Sequence, residues 1–279
     1  MRRKEYIHIL FKTPLYIFLV MVALFQIFPL AIMVINSLRS DSDIKLSPLG
    51  LPKSFQLSNY AETWVRGGYG QSYINSIIVG FSSVALLLMV AGLCAYALAK
   101  LEILAKGFFT GFFVAGLSIP VFSYIVPVYF MFSKVNLTNT HPGIILIFSI
   151  INLPFNILFL RAFFLGIPKE LSESAKIDGC SELGAFWRII IPLAKPAIMT
   201  VALTVFVATW NDFMWSNIFL NEWAKKTIGI RFFQFATEFS DNLARIFTGG
   251  VIAVGPLCII FLIFQRQFIE GITRGAVKG

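Results

Sequence analysis

The sequence predicts an all-α, polytopic membrane protein with about six transmembrane helices, and three observations carry that prediction. Hydrophobic residues make up 57% of the 279 residues and charged residues only 13%, about half the charged share of an ordinary soluble domain. The mean hydropathy is +0.80. Apolar runs of about twenty residues, the length that crosses a hydrocarbon core as a helix, recur along the whole chain. Thirty phenylalanines add to the pattern, since phenylalanine is favourable at bilayer depth. A core able to hide this much apolar surface from water is too large for a chain of this size, so lipid is the fitting solvent.

Read in order, the predicted spans are Pro14–Leu38, Tyr73–Ala99, Phe108–Phe132, Gly143–Phe164, Pro196–Leu220 and Thr248–Phe268. The first follows Arg2, Arg3 and Lys4. It is too long for a signal-peptide core and lacks a small-residue cleavage site, so it reads as a retained helix. Prolines fall inside several spans: Pro29, Pro120, Pro127, Pro154 and Pro256. Each removes a backbone donor and bends the helix, which shape adjustment and a translocation path explain equally well. Asn152 and Asn156 flank Pro154 and favour an interior face, because lipid cannot satisfy their amides.

Six spans place both termini on one side. If that side is the cytoplasm, the inner segments hold fourteen of the 23 Lys and Arg residues, among them Lys100, Lys106, Lys169, Lys176, Arg188 and Lys278. This bias predicts cytoplasmic termini. Connections Arg39–Ser72 and Asn221–Phe247 then lie outside, and Leu165–Lys195 lies inside. The outer ones carry Trp64, Tyr69, Trp223 and Phe232, aromatic residues suited to an interface or a partner. There is no internal repeat and no second soluble domain.

The net charge of +9 is scattered between apolar runs rather than gathered into a stripe, so it predicts no nucleic-acid partner. Cys94, Cys180 and Cys258 form no CxxC pair, and His8 and His141 lie in different flanking segments. That pattern supports neither a disulfide framework nor a metal or catalytic cluster. No GxxxxGK[ST] loop occurs, so the chain is not expected to be an enzyme and any ATP hydrolysis must belong to another polypeptide.

The inner connection reads IPKELSESAKIDGCSELGAFWRIIIPLAKP from Ile167 to Pro196. Pro168 suits the first turn of a helix and Glu170 complements its positive end. Gly179 can end that helix in a left-handed conformation. Ser181 can cap a second short helix through about Ile190, with Pro192 as its stop. A nine-residue helix is unstable alone in water and needs a surface to dock on. Leu171, Ala175 and Ile177 mixed with Glu170, Glu173 and Lys176 suit a protein groove better than bilayer, although composition alone favours a plain amphipathic surface loop.

This segment resembles the EAA signature of ABC-importer permeases. Glu173, Ser174 and Ala175 are followed after three residues by Gly179, and after nine more by Ile189, Ile190, Ile191 and Pro192. Ser174 stands in place of alanine and Ile191 in place of leucine. Asn75-Ser76, Ala95-Tyr96-Ala97-Leu98-Ala99, Ile177-Asp178-Gly179, Trp210-Asn211-Asp212-Phe213 and Gly275-Ala276-Val277-Lys278-Gly279 are similar to the carbohydrate branch, in particular to the smaller permease of maltose-type transporters. The resemblance implies a type I importer permease fold over residues 1–279, with a cytoplasmic coupling loop at 165–195. It implies coupling roles for Glu173, Ser174, Ala175, Asp178, Gly179, Ile189 and Pro192. The implied partners are a second homologous permease, a cytoplasmic ATPase dimer using ATP and Mg, and an extracytoplasmic sugar-binding protein. The implied setting is a bacterial-type cytoplasmic (inner) membrane, with no cofactor in this chain itself.

In the fifth predicted span, Thr209, Asp212 and Ser216 recur at helical spacing and are expected to share a face. An ionised Asp212 must face protein or water. With Trp215, Asn152 and Asn156 these residues are candidates for the translocation path. A structural anchor paired with another subunit explains Asp212 equally well. Two other classes compete. An ion-coupled secondary transporter needs an intramembrane ion site or relay, for which Asp212 stands alone. A membrane enzyme needs a metal cluster, a carboxylate pair or a nucleophile–base pair, which the sequence does not assemble.

Overall fold

The computed structural model describes the backbone of residues 2–276 and the side chains of residues 13–266. The basic side chains Arg2, Arg3, Lys4 and Lys12, together with His8 and residues 277–279, lie outside what it describes. Helices run in the order α1 (Arg2–Ser37), α2 (Asp41–Leu46), α3 (Ser58–Arg66), α4 (Tyr69–Lys100), α5 (Lys106–Leu117), α6 (Ile125–Lys134), α7 (His141–Leu165), α8 (Lys169–Ile177), α9 (Glu182–Ala185), α10 (Ile191–Leu193), α11 (Lys195–Asn211), α12 (Met214–Phe219), α13 (Ile228–Glu238) and α14 (Leu243–Ala276). Four stretches are long and apolar enough to cross a membrane unbroken: Thr13–Ser37, Tyr69–Lys100, His141–Leu165 and Leu243–Arg266. Two bent pairs bring the number to six: Lys106–Leu117 with Val121–Lys134, and Glu182–Leu193 with Lys195–Asn211.

The third and fifth spans therefore differ from the uninterrupted runs expected. Pro120 stands in extended conformation between α5 and a 3-10 turn at Val121–Tyr124, and the pair bends by 91°. Proline disfavours the helical conformation for the residue before it, so Ile119-Pro120 is a natural breaking point. In contrast Pro29, Pro154 and Pro256 lie inside α1, α7 and α14 without ending them. The fifth span breaks at Ala194, where the bend is 79°, and again after Asn211.

The chain divides into two compact units, one formed by the stretch up to Gly68 with Phe232–Gly255, the other by Tyr69–Arg231 with the stretch from Pro256. In the first, no residue of the most apolar 18-residue stretch of α1 is buried among the described residues, and Phe25 is 81% exposed. Such a helix is stable only where lipid or another membrane protein surrounds it. At its end Arg39 is buried, donating to Asn36 Oδ1 at 2.8 Å, the Ser47 carbonyl at 2.9 Å and the Asp43 carbonyl at 2.8 Å. This cation complements backbone carbonyls at the C-terminal end of α2 and is steadied by the Asn36 side chain in the last turn of α1. Asp41 caps α14 by accepting from the Leu243 amide at 2.7 Å, and Thr248 donates to the Ser37 carbonyl at 3.1 Å.

In the second unit α4 and α7 pack side by side. Val79, Ile144, Ile147, Phe148, Trp215, Phe219, Leu220 and Ile230 form its buried cluster. Small residues on α4 allow close approach, as membrane helix pairs require: the face of α4 at Gly80 meets the Phe206 ring.

Candidate functional site

The inner connection folds as a short helix, a left-handed turn and a distorted second helix. Pro168 is extended and precedes α8 rather than occupying its first turn, while Glu170 lies in that first turn. Lys169 and Glu173 pair at 3.1 Å along the exposed side of α8, and that contact holds the Lys169 ammonium above its ordinary range. Ser174 turns its hydroxyl back to the Glu170 carbonyl at 2.8 Å. Gly179 follows with φ +82°, and the Cys180 amide returns to the Ala175 carbonyl at 2.8 Å. That is a glycine helix exit.

Ser181 caps α9, its hydroxyl accepting from the Gly184 amide at 3.1 Å. The second helix stops at Leu193, one residue past the expected Pro192. A π-helical stretch at Phe186–Ile190 runs straight into α10, and Pro192 lies within α10. Pro192 removes an amide that a continuing α-helix needs, and the wider turn precedes it directly; π turns of this kind concentrate at functional positions. Ile189 is half-buried in that stretch and Pro192 is exposed.

The loop is tied to the end of α4. The Tyr96 hydroxyl donates to Glu182 Oε2 at 2.9 Å, and the other oxygen of Glu182 pairs with Lys176 in the last turn of α8. The Tyr96 ring packs on Phe186 at 5.2 Å, and Lys100 donates to the Ile167 carbonyl. Glu173, Ser174 and Asp178 face outward. Ile177 is 87% exposed.

The other candidate residues do not assemble as the sequence suggested. Thr209, Asp212 and Ser216 do not share one helical face, because α11 ends at Asn211 and Asp212 is extended. Asp212 Oδ2 instead accepts from the Ser216 amide of α12 at 2.8 Å. Gly229 at the start of α13 lies against this break; a Cβ there would stand 2.6 Å from the Asp212 carbonyl oxygen. Trp215 is buried between Tyr124 and Phe219, and Trp210 between Tyr73 and Phe206, so neither ring offers an open face. The buried Trp215 indole N–H and Thr209 hydroxyl have no hydrogen-bond partner among the described residues. Asn152 and Asn156 each donate back within α7, to the Phe148 and Asn152 carbonyls at 2.8 and 2.7 Å. Their own helix satisfies these amide donors, and only Asn156 is fully buried.

Sequence reading gave Asn75 and Ser76 no role beyond resemblance. They strap the segment after α12: Asn75 donates to the Ala224 and Lys226 carbonyls at 2.8 and 3.0 Å, and Ser76 accepts from the Ile228 amide at 2.8 Å. Asn139, left-handed at φ 56°, accepts from the Asn221 and Glu222 amides at 3.1 and 3.0 Å. His141 Nε2 donates to the Lys225 carbonyl at 3.1 Å. The Lys225 ammonium holds Glu222 below the usual carboxylate range. An Asn in a short polar turn before a helix was the available signal for Asn139; Glu182, by contrast, has no spacing that points to Tyr96.

An all-helical chain with four to six membrane-crossing segments, carrying a short polar helix and a glycine exit between spans, defines a multi-pass membrane permease. The family model of the binding-protein-dependent transport system inner membrane component matches residues 89–274, and the chain belongs to that family. It is 32% identical to the probable ABC transporter permease protein YurM of Bacillus subtilis (strain 168), over 100% of this chain and 91% of that protein. It is 30% identical to the diacetylchitobiose uptake system permease protein NgcG of Streptomyces coelicolor (strain ATCC BAA-471 / A3(2) / M145), over 93% and 87%. To the arabinooligosaccharides transport system permease protein AraQ of Bacillus subtilis (strain 168) it is 30% identical, over 96% of each. The fold matches a chain in the crystal structure of a bacterial ABC transporter involved in import of the acidic polysaccharide alginate, with a TM-score of 0.81 at 23% identity, covering 93% of this chain and 96% of that one. The protein is thus a multi-pass inner-membrane permease subunit of a binding-protein-dependent ABC transport system, and the ATPase is a separate polypeptide.

Proposed function

We propose that residues 1–279 act as one permease domain that forms the translocation path with a second, homologous permease, and that residues 165–195 dock on a cytoplasmic ATPase dimer. The single observation that carries the docking reading is the shape of the loop. α8 ends in a left-handed turn at Gly179 with open space around it among the described residues, and its tip residue Ile177 is 87% exposed. An exposed isoleucine beside Glu173, Ser174 and Asp178 suits a groove on a soluble protein, with Ala175 allowing close packing. Ile189 and Pro192 then carry displacement of α8 through the π-helical stretch towards α11. ATP and Mg act in the ATPase pair, whose closure biases the permeases between inward- and outward-facing states.

The path reading rests on Asn156, Thr209, Asp212, Trp215 and Ser216, with Asn152 one turn before Asn156. Thr209 and Trp215 supply unused donors beside the break, and Asp212 holds the break open at the start of α12. A sugar-binding protein delivers substrate at the outer face, both termini lie in the cytoplasm, and lipid surrounds α1.

Proteoliposomes test the energy source, with substrate-loaded binding protein outside, ATP and Mg inside, and no ion gradient. The two permeases without the ATPase should give no uphill uptake, and adding the ATPase should create it. Uphill uptake without the ATPase that follows an imposed proton or sodium gradient would replace this reading with an ion-coupled transporter.

A further inference from the structure

Beyond the signature residues of the loop, the structure contains a side-chain chain that joins α8 to a membrane helix. Lys176 sits in the last turn of α8. Its ammonium pairs with one oxygen of Glu182, the first residue of α9. The other oxygen of Glu182 accepts from the Tyr96 hydroxyl at 2.9 Å. Tyr96 belongs to α4, is buried, and has its ring fixed against Phe186 at 5.2 Å. One carboxylate thus bridges a half-exposed helix tip and a buried position on a 32-residue helix. Gly179 adds no steric stop at the C-terminal end of α8, since among the described residues nothing beyond its chain neighbours stands within 4 Å of where its Cβ would be, whereas the N-terminal side of α8 is held to α4 through Lys100 and the Ile167 carbonyl.

We propose that Lys176, Glu182 and Tyr96 are positioning residues that lock α8 to α4, so that a displacement applied at α8 moves α4 as part of the same body. This rests on the reading that α8 docks on the ATPase. A flexible α8 would absorb an applied displacement in the Gly179 turn. A latched α8 passes it into α4, and through the packing of α4 on α7 into the bundle. The two links act in series. Removing either should loosen the C-terminal end of α8, which then keeps only its N-terminal tie through Lys100, and removing both should be no worse than removing one. Each link is a charge-assisted contact that is partly screened, so losing it should lower the latched fraction about two- to fivefold.

The test uses the assembled transporter with Cys94, Cys180 and Cys258 replaced by serine and nitroxides at Ile177→Cys on α8 and Leu93→Cys on α4. Pulsed-dipolar distances are recorded without nucleotide and after trapping with ATP, Mg and vanadate. With the latch intact, the α8–α4 distribution should be narrow and the same in both states. In Tyr96→Phe, which keeps the ring, and in Glu182→Gln, which keeps the volume, it should broaden or shift on trapping, and the double variant should match the singles. A wild-type distribution that itself shifts, or variants that stay narrow, would overturn the latch. The mobility of the Ile177 nitroxide tests the underlying reading separately: immobilisation on adding the ATPase supports docking, and unchanged mobility removes docking whatever the distances show. Tyr96→Phe and Glu182→Gln that assemble and trap like the wild type yet hydrolyse ATP without moving α4 are the expected phenotype.

Discussion

Replacing Gly179 isolates one physical term, because the space around it is empty. Among the described residues, no atom beyond its two chain neighbours lies within 4 Å of a Cβ built there, so a side chain meets no clash and the cost is backbone conformation at φ +82°. For an ordinary L-residue that conformation costs about 1 kcal/mol, and for a β-branched one about 2 kcal/mol. At about 1.4 kcal/mol per factor of ten, Gly179→Ala should deplete the native turn about fivefold and Gly179→Val about thirtyfold. Asparagine tolerates the left-handed region, so Gly179→Asn should stay close to the wild type despite its bulk. The assay is ATPase stimulation by loaded binding protein in the reconstituted complex, alongside complex assembly and membrane insertion. Stimulation should fall in the order Gly, Asn, Ala, Val, with insertion unchanged throughout. If Val and Asn behave alike, side-chain volume rather than backbone conformation governs the site, and the argument fails.

Gly229→Ala should lower thermal stability in detergent by about 1–3 kcal/mol, since the new Cβ would stand 2.6 Å from a backbone oxygen at the α11–α12 break; an unchanged melting temperature would show that the break yields freely. Asp212→Ala removes the acceptor for the Ser216 amide and should cost about 1 kcal/mol, while Asp212→Asn keeps the acceptor and should retain stability. If Asp212→Asn also keeps full uptake, Asp212 is an anchor and not a path residue. Single cysteines report the sides of the membrane. Ser172 is buried and labels poorly, so Ile177→Cys is the inner reporter and Ser40→Cys the outer one. Impermeant reagent on intact cells should label Ser40→Cys and spare Ile177→Cys, and the reverse pattern inverts the topology.

Most of the architecture was legible because its cause is local. Lipid requires each crossing segment to satisfy its own backbone and to be apolar over about twenty residues, so composition along the chain located the four unbroken membrane-crossing stretches, Thr13–Ser37, Tyr69–Lys100, His141–Leu165 and Leu243–Arg266, closely, but not the full lengths of α1 and α14. Gly179 was legible for the same kind of reason, since a polar nine-residue helix needs an exit and glycine supplies it without a neighbour's help. What the sequence could not supply were the breaks and the ties. Pro29, Pro154 and Pro256 read the same as Pro120, yet only Pro120 ends a helix, because its neighbours decide whether the freed carbonyl finds a partner. The periodicity that placed Thr209, Asp212 and Ser216 on one face assumes an unbroken helix. The break after Asn211 lies against Gly229 of α13, a contact with Asp212 that spans seventeen residues of sequence. Tyr96 and Glu182 lie 86 residues apart and no spacing rule joins them. Segment length and polarity are sums over neighbouring residues and survive without a fold; helix breaks and side-chain bridges are agreements between distant residues, and only the tertiary structure can make them.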